Sequence, residues 1–132
     1  MSLGPRPLDI GFLVDSSDAV GQLNWNKLTR FAKNVVDSFN PSWPGNHIGF
    51  MSYGDTARVQ FDFDALRGNR YSAYGVKRLI DNVRYQPGGG RRIDNALNTA
   101  YRDLFSPSGG YRPDARQVKA FSIFIYAHLE NV

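Results

Sequence analysis

The first candidate for chemistry is a carboxylate that ends an apolar segment near the start of the chain. Residues 8–14 are almost all apolar, and Asp15 follows them directly, with Ser17 two positions later. An apolar run of this length is typical of a strand covered on both faces of a parallel sheet. Ligands of open α/β sheets bind at the carboxyl ends of the strands. We therefore predict that this strand delivers Asp15 to a ligand-binding edge of the sheet.

A second candidate is the glycine-rich segment 87–92, which reads PGGGRR and precedes a helical pattern. Backbone amides at a helix start, together with two arginines, can hold an anion. The alternative, which we favour, is that the glycines only shape a loop. The segment is not a phosphate-binding P-loop, because no Lys-Ser or Lys-Thr pair follows the glycines.

Other side chains that could act in binding or catalysis stand alone. Trp43 lies between two prolines and is a candidate anchor for a protein ligand. The more common alternative is that such a tryptophan packs over the end of the first helix. His47 and His128 have no partner pattern for metal binding or catalysis, so we expect structural or surface roles. No Ser-His-Asp arrangement or paired-carboxylate signature is present, and an enzyme is not predicted.

The composition is that of one ordinary globular domain. The chain has 132 residues, of which 42% are hydrophobic and 21% charged, and no apolar run approaches the roughly 20 residues that cross a bilayer. The absence of cysteine excludes disulfides, thiolate zinc sites and cysteine nucleophiles. We expect residues 1–7, which lack the pattern of a signal peptide, to be an N-terminal extension before a domain over residues 8–132.

The net charge is +4, which favours anionic partners only mildly. The excess is small and spread out, so we interpret it mainly as a solubilising surface. Tyrosines interleave with basic residues between positions 70 and 112, a pattern that can bind single-stranded nucleic acid. No nucleic-acid motif accompanies it, and we predict neither nucleic-acid binding nor membrane insertion.

Periodicity predicts the element order β-α-β-β-α-α-β. Asn24 is a candidate N-cap for the first helix, and the hairpin formed by residues 47–53 and 57–63 should place its half-exposed second strand at the sheet edge. The fold class is therefore α/β, with a doubly wound, mostly parallel sheet, one antiparallel edge strand and helices on both faces. The remaining predicted elements are helices within 24–39, 72–83 and 93–104, and a central strand over 118–126.

Five segments, in their order and spacing, resemble the von Willebrand factor type A domain, also called the integrin inserted domain. The resemblance implies a Rossmann-like fold and a role in adhesion or matrix assembly, usually outside the cell. The family usually continues past the fourth strand with further strands and helices, whereas this sequence ends at Val132. We expect a truncated or smaller sheet, whose open edge could pair with another copy. The segments are residues 8–17, 31–39, 48–55, 80–89 and 96–97.

The resemblance also implies a metal-ion-dependent adhesion site. Its pattern is Asp-x-Ser-x-Ser after the first strand, a threonine before the third long helix and an aspartate after the fourth strand. Asp15 and Ser17 match the first two positions, but Ala19 stands at the third and Arg91 at the threonine position. Residues 126–129 contain no aspartate. A hydroxyl and a carboxylate are a poor cage for Mg²⁺, which prefers octahedral oxygen coordination.

We therefore expect Asp15 and Ser17 to be a remnant site with no resident cofactor. The alternative is that Mg²⁺ or Ca²⁺ still binds, with Asp18 or Asp94 as replacement ligands. A guanidinium is permanently charged and can fork onto a carboxylate. We hypothesise that Arg91 takes the place of the cation and pairs with Asp15.

The predicted function is a non-enzymatic protein-binding module of a secreted or matrix-associated adhesion protein. Its ligand would be an extracellular matrix protein such as collagen or another adhesion protein, with Asp18, Arg92 and Trp43 as the candidate ligand surface. The alternative is a structural domain that self-assembles and has no ligand at the degenerate metal site. A nucleotide-binding enzyme is disfavoured, because no glycine-rich phosphate loop follows the first strand.

Overall fold

The computed structural model describes residues 7–112 and the backbone of residues 116–118. The described strands and α-helices follow one another in the predicted order. Within this part of the chain, no helix combines the length and apolar character of a bilayer-spanning segment. The elements are β1 (Leu8–Asp15), α1 (Gly21–Phe39), β2 (His47–Tyr53), β3 (Ala57–Phe61), α2 (Ala73–Asp81), α3 (Ile93–Thr99), a π-helical turn (Ala100–Leu104) and β4 (Arg116–Val118).

β1 is an inner strand of the sheet, whose described strands have the order β3-β2-β1-β4. It pairs in parallel with β2, from Asp9 opposite His47 to Asp15 opposite Tyr53, and in parallel with β4 on its other side. β2 and β3 are antiparallel, so β3 lies at the edge. Every residue of β1 after Leu8 is buried. The predicted fold class, a mostly parallel α/β sheet with one antiparallel edge strand, is confirmed.

Helices cover both faces of β1. Ile10, Phe12 and Val14 point to one face, where they pack with α1 and α2, while Leu13 points to the other face. This alternation follows from the two-residue period of a strand. The helical residues buried on the first face are Trp25, Leu28, Ala32, Val36, Val76 and Ile80, and those on the second face are Ala96, Ala100 and Leu104.

Two glycines let the third helical segment approach the sheet closely. Gly11 and Gly49 are opposite each other on β1 and β2. A Cβ at Gly11 would lie 2.7 Å from the Phe105 ring, and a Cβ at Gly49 would lie 2.7 Å from Leu104 Cδ1. The sequence predicts one helix over 93–104, but the structure divides it into α3 and the π-helical turn that rests on these glycines.

The predicted start of the first helix is wrong. Asn24 is not the cap; α1 already begins at Gly21, and Val20 before it makes no side-chain capping hydrogen bond. Instead, the Gly21 N–H donates to the hydroxyl of Tyr85 at 3.1 Å. A tertiary contact thus satisfies one of the N–H groups that a cap residue ordinarily satisfies. α2 has a local cap, because the Ser72 hydroxyl accepts from the Gly75 N–H at 3.1 Å.

Other boundaries differ by a few residues. β3 ends at Phe61 rather than at 63, and α2 ends at Asp81 rather than at 83. The described part of β4 begins at Arg116, two residues before the predicted start, and lies at the end of the strand order rather than inside it. The rest of the predicted fourth strand, residues 119–126, and the segment 126–129 with His128 lie outside the described residues.

A buried ion pair ties the chain before β4 to β1. Asp9 is fully buried, and Arg112 Nε and Nη2 donate to its Oδ1 at 2.9 and 2.8 Å. The backbone N–H of Arg112 donates to Oδ2 at 2.8 Å. Because a buried carboxylate is costly unless it is paired and hydrogen-bonded, this contact fixes where the chain reaches the sheet edge.

A stack of three rings closes the amino end of β2. The His47 ring lies 5.1 Å from the Trp43 ring and 4.4 Å from the Tyr71 ring, centroid to centroid. His47 Nε2 lies 2.8 Å from the Trp43 carbonyl oxygen, and the Tyr71 hydroxyl accepts from the Ile48 N–H at 2.8 Å. The ring partners of Trp43 therefore belong to β2 and to the segment before α2, and not to the end of the first helix.

The buried imidazole predicts an acid-sensitive stability. Burial lowers the pKa of His47 below its ordinary 6.5, and nearby Arg112 lowers this pKa further, while the Trp43 carbonyl and the carboxylates of Asp9 and Asp64 raise it. The unfolded chain therefore binds a proton more readily than the folded chain, and the free energy of unfolding should fall as pH falls below 6.5. Urea unfolding at about pH 7.5 and about pH 5.5 measures this loss, in a window above the carboxylate pKa values.

His47→Gln is the matched control for this prediction. Glutamine keeps an N–H donor for the Trp43 carbonyl but does not titrate. The variant should lose less stability than the wild type over the same pH interval. An equal loss in both proteins would show that another group causes the pH dependence.

Candidate functional site

The carboxyl ends of β1 and β2 meet at one edge of the sheet, and Asp15 lies there. Its side chain is fully buried, and the following residues Ser16 and Ser17 are buried as well. The Ser16 N–H donates to the Tyr53 carbonyl at 2.8 Å, so the exits of the two strands are joined directly. The edge is the place where an open α/β sheet binds ligands.

Both oxygens of the Asp15 carboxylate are engaged. Oδ1 accepts from the Ser17 N–H at 2.7 Å, and Oδ2 forms an ion pair with Arg91 Nε. The Arg91 side chain is 33% exposed, whereas that of Asp15 is 0% exposed. A guanidinium at the surface thus compensates a carboxylate in the interior.

Asp18 holds the glycine-rich loop that carries Arg91. The Asp18 N–H donates to the Gly89 carbonyl at 2.9 Å, and Asp18 Oδ1 accepts from the Gly89 N–H at 3.0 Å. Gly89 has a φ of +80°, in the left-handed region that favours glycine. The Gly88 N–H donates to the Ser16 carbonyl at 2.9 Å. The loop is therefore bonded along the segment that follows β1.

Asp55 anchors the same loop from the exit of β2, and sequence reasoning missed it. Its N–H donates to the Gly88 carbonyl at 2.7 Å, and the Arg92 N–H donates to the Gly54 carbonyl at 2.9 Å. Asp55 Oδ1 accepts from the Gly90 N–H at 2.9 Å. The available signal was its position: Asp55 follows a predicted strand at the same sheet edge as Asp15.

Tyr85 is a second residue that sequence reasoning missed at this site. Its hydroxyl donates to the Ser17 carbonyl at 2.8 Å while it accepts from Gly21, and its ring packs on Trp25 with centroids 5.6 Å apart. The tyrosine therefore fixes the turn between β1 and α1. In the sequence, Tyr85 belongs to the resembling segment 80–89 and to the interleaved tyrosines and basic residues, but neither pattern assigned it a role at the site.

Arg92 and Asp94 form an exposed pair beside the site. Arg92 Nε and Nη2 donate to the two Asp94 carboxylate oxygens at 3.1 and 2.9 Å. The hydrogen bonds from Arg92 lower the pKa of Asp94 to about 2. Asp94 and Asp18 are the two carboxylates considered above as replacement metal ligands. Asp94 accepts hydrogen bonds from the Arg92 side chain, and Asp18 accepts one from the Gly89 N–H.

Trp43 is not part of this edge. It packs at His47, the first residue of β2, whereas the edge follows Tyr53, the last residue. Seven strand residues at about 3.3 Å each separate the two ends by roughly 20 Å. The structure therefore brings together Asp15, Ser17, Asp18 and Arg91, with Arg92 beside them, and leaves Trp43 at the opposite end of the sheet.

A family model described as the von Willebrand factor type A domain matches residues 9–125. The chain belongs to this family. Solved structures agree on the fold: proximal thread matrix protein 1 from the mussel byssus covers 85% of this chain with a TM-score of 0.77 and 22% sequence identity. A second structure of that protein, described with a zinc-occupied MIDAS motif, has a TM-score of 0.73 and 21% identity.

The curated relatives are much longer than this chain. von Willebrand factor from Rattus norvegicus is 33% identical over 108 residues, which are 82% of this chain and 24% of the relative. Matrilin-2 from Mus musculus is 28% identical over 117 residues, 89% of this chain and 12% of the relative. The human collagen alpha-1(XX) chain is 28% identical over 116 residues, which are 88% of this chain and 9% of the relative. The chain spans a quarter or less of these proteins.

The residues at the edge do not fit the divalent cation that a type A domain implies. The Ser17 hydroxyl is buried and has no hydrogen-bond partner in the described part of the chain, so it could serve as one ligand. However, the Arg91 guanidinium lies against Asp15, and Ala19 brings no oxygen. The described residues contain no cluster of three or more His, Cys, Asp or Glu side chains suited to a metal ion.

A double-mutant cycle measures the coupling between Asp15 and Arg91. Arg91→Met keeps most of the aliphatic stem but leaves the Asp15 carboxylate buried and uncompensated, which should cost about 3 kcal/mol of unfolding free energy. Adding Asp15→Asn removes the charge, so the double variant should be more stable than the sum of the single losses predicts. Urea unfolding at neutral pH gives all four values.

Arg92→Met is the matched control, because its carboxylate partner Asp94 is exposed. It should leave the urea midpoint nearly unchanged. Additive effects of Asp15→Asn and Arg91→Met would contradict a direct electrostatic coupling between the two residues.

Proposed function

We propose that this type A domain is a non-enzymatic protein-binding module of an extracellular adhesion or matrix protein. Its ligand would be a matrix protein such as collagen, bound at the edge that follows β1 and β2. The family membership and the matrix proteins among the relatives support this class of function. In this proposal, Arg91 supplies the positive charge that a metal ion supplies elsewhere in the family.

The ion pair between Arg91 and Asp15 is the observation that carries this proposal. Arginine side chains are cationic, and a third of the Arg91 side chain is exposed. A positive charge is therefore presented at the edge without a divalent cation. Acidic side chains and carbonyl oxygens of a protein ligand are the groups that complement such a charge.

The chemistry of the edge supports binding rather than catalysis. Both Asp15 oxygens are occupied by the Ser17 N–H and Arg91, so this carboxylate is poorly placed to act as a general base. The described histidine, His47, is the first residue of β2, at the end of the strand opposite to the site. The described edge thus lacks a nucleophile beside an available base.

Binding to immobilised matrix proteins, with and without EDTA, tests the proposal. Biolayer interferometry with a panel that includes fibrillar collagens should detect at least one ligand whose affinity is unchanged by EDTA. Arg91→Ala should weaken that binding, while Arg102→Ala, which removes an exposed arginine paired with Asp103, should not. Circular dichroism of Arg91→Ala separates lost binding from lost folding.

Two results would contradict this proposal, the first its role for Arg91 and the second its ligand-binding function. Binding abolished by EDTA and restored by Mg²⁺ would place a cation at the site. Concentration-dependent assembly in sedimentation velocity, with no ligand in the panel, would favour the self-assembling scaffold.

A pair of substitutions tests whether Arg91 displaced the cation. Ala19→Ser and Arg91→Thr together add two hydroxyl oxygens and remove the guanidinium beside Asp15. Thermal unfolding of this double variant should shift upward when Mg²⁺ or Mn²⁺ is added, because binding to the folded state alone stabilises it. The wild type should show no such shift. An equal shift in both proteins would mean that Arg91 does not exclude the metal.

A further inference from the structure

A small polar notch lies beside the Arg91 edge, on the side of the β2–β3 hairpin. Its volume is about 140 Å³, and it lies between the exit of β1, the hairpin and residues 86–88. These walls are bonded to one another, because the Gly88 N–H donates to the Ser16 carbonyl at 2.9 Å and the Asp55 N–H donates to the Gly88 carbonyl at 2.7 Å. The notch is therefore a fixed part of the same sheet edge.

Arg58 brings a positive charge to this depression, which we name the Arg58 notch. The arginine lies on β3 opposite Ser52, and a neutral group holds its side chain, because Nη1 donates to Gln86 Oε1 at 3.4 Å. Arg91 and Arg92, in the neighbouring loop, each have an aspartate partner instead. Since an amide orients a guanidinium without neutralising it, the charge of Arg58 remains for a ligand.

The hydrogen-bond acceptors of the Arg58 notch are largely occupied. Gln86 Oε1 accepts from Arg58, and Ser52 Oγ accepts from Gln60 Nε2 at 2.8 Å. Four backbone carbonyls of the lining residues each accept a backbone N–H of the edge, at 2.7 to 2.9 Å. A ligand that donates hydrogen bonds therefore finds few partners in the notch. The four carbonyls belong to Ser16, Gly54, Thr56 and Gly88.

Several hydrogen-bond donors of the Arg58 notch remain for a ligand. A guanidinium has five N–H donors, of which Arg58 uses one on Gln86. The Ser52 hydroxyl accepts from Gln60 and keeps its own O–H to donate. Among the described residues, no aspartate or glutamate lines the notch. The notch is therefore complementary to an anionic group that accepts several hydrogen bonds, and it repels an ammonium group.

We propose that the Arg58 notch binds the carboxylate of an aspartate or glutamate side chain of the protein ligand. This inference rests on the proposed function, because it gives the matrix ligand a second acidic contact beside the one at Arg91. The notch is well below the roughly 300 Å³ of a small-molecule site, so it admits one side chain rather than a whole organic ligand. Arginine matches the planar shape of a carboxylate and adds specificity as well as affinity.

Protection of the sheet edge is the other role that Arg58 suggests. A charged side chain on an edge strand opposes pairing with another sheet, and β3 lies at the edge of the described strand order. Such a role needs only the charge, whereas the proposed contact also needs the planar fork of the guanidinium. Arg58→Lys separates the two roles, because lysine keeps the charge and loses the fork.

Nuclear magnetic resonance of the ¹⁵N-labelled 132-residue chain tests the notch with small probes. N-acetyl-aspartate N-methylamide, whose only carboxylate is that of the side chain, should shift the Arg58 Nε–H resonance. The dissociation constant there should be about tenfold lower than at Arg70, an exposed arginine outside the notch. N-acetyl-asparagine N-methylamide, the neutral matched probe, should shift neither resonance. Arg58→Lys and Arg58→Gln should both weaken binding of the aspartate probe, followed through the Gln86 side-chain amide.

Three outcomes of this titration would overturn the inference. Equal dissociation constants at Arg58 and Arg70 would mean that an exposed arginine alone explains the binding. Unchanged binding in Arg58→Lys would show that charge alone, as in edge protection, accounts for the effect. Tighter binding of inorganic phosphate, or of the terminal carboxylate of N-acetylglycine, than of the aspartate probe would overturn the assignment to an acidic side chain.

Binding to fibrillar collagen and the other panel proteins relates the notch to the whole ligand. Arg58→Gln should weaken binding about tenfold in biolayer interferometry, whereas Arg70→Gln should leave it unchanged. If the wild type binds and Arg58→Gln binds equally well, the notch is not part of the ligand surface. If the wild type binds no matrix protein, the proposed function fails, and the titration still decides whether the notch takes a carboxylate.

Discussion

The arrangement of the candidate site depends on one buried charge, the carboxylate of Asp15 at the end of β1. An unpaired carboxylate in the interior costs several kcal/mol, and its compensation here comes from the Ser17 N–H and the Arg91 guanidinium. Arg91 can stay in place only if its glycine-rich loop is fixed. Asp18 and Asp55 fix that loop to the exits of β1 and β2.

A second buried ion pair holds β1 near its other end. Asp9 is buried and paired with Arg112, just as Asp15 is paired with Arg91. In both pairs the strand supplies the acid and a later loop supplies the arginine, from 103 residues away in the case of Arg112. β1 therefore has one ion pair to the loop before α3 and another to the segment before β4. These two ion pairs hold the loop before α3 and the segment before β4 against β1.

The fold could be predicted from the sequence because the patterns that indicate its strands and helices are local. The apolar run of β1, the hairpin and the amphipathic stripe of α1 each predict an element from adjacent residues. The site was harder to predict from the sequence, because the hydrogen bonds that support it join residues that are far apart in the chain. Tyr85 contacts Ser17 across 68 residues and caps Gly21 across 64, and no local pattern marks either contact. The same tertiary cap explains why the N-cap rule placed the start of α1 at Asn24.

A crystal grown with Mn²⁺ would show whether Arg91 or a cation neutralises Asp15, because manganese scatters anomalously and coordinates oxygen much as Mg²⁺ does. We expect guanidinium density of Arg91 against Asp15 and no anomalous peak between Asp15 and Ser17. An anomalous peak there, coordinated by the Asp15 carboxylate and the Ser17 hydroxyl with Arg91 turned away, would show that the site still binds a cation.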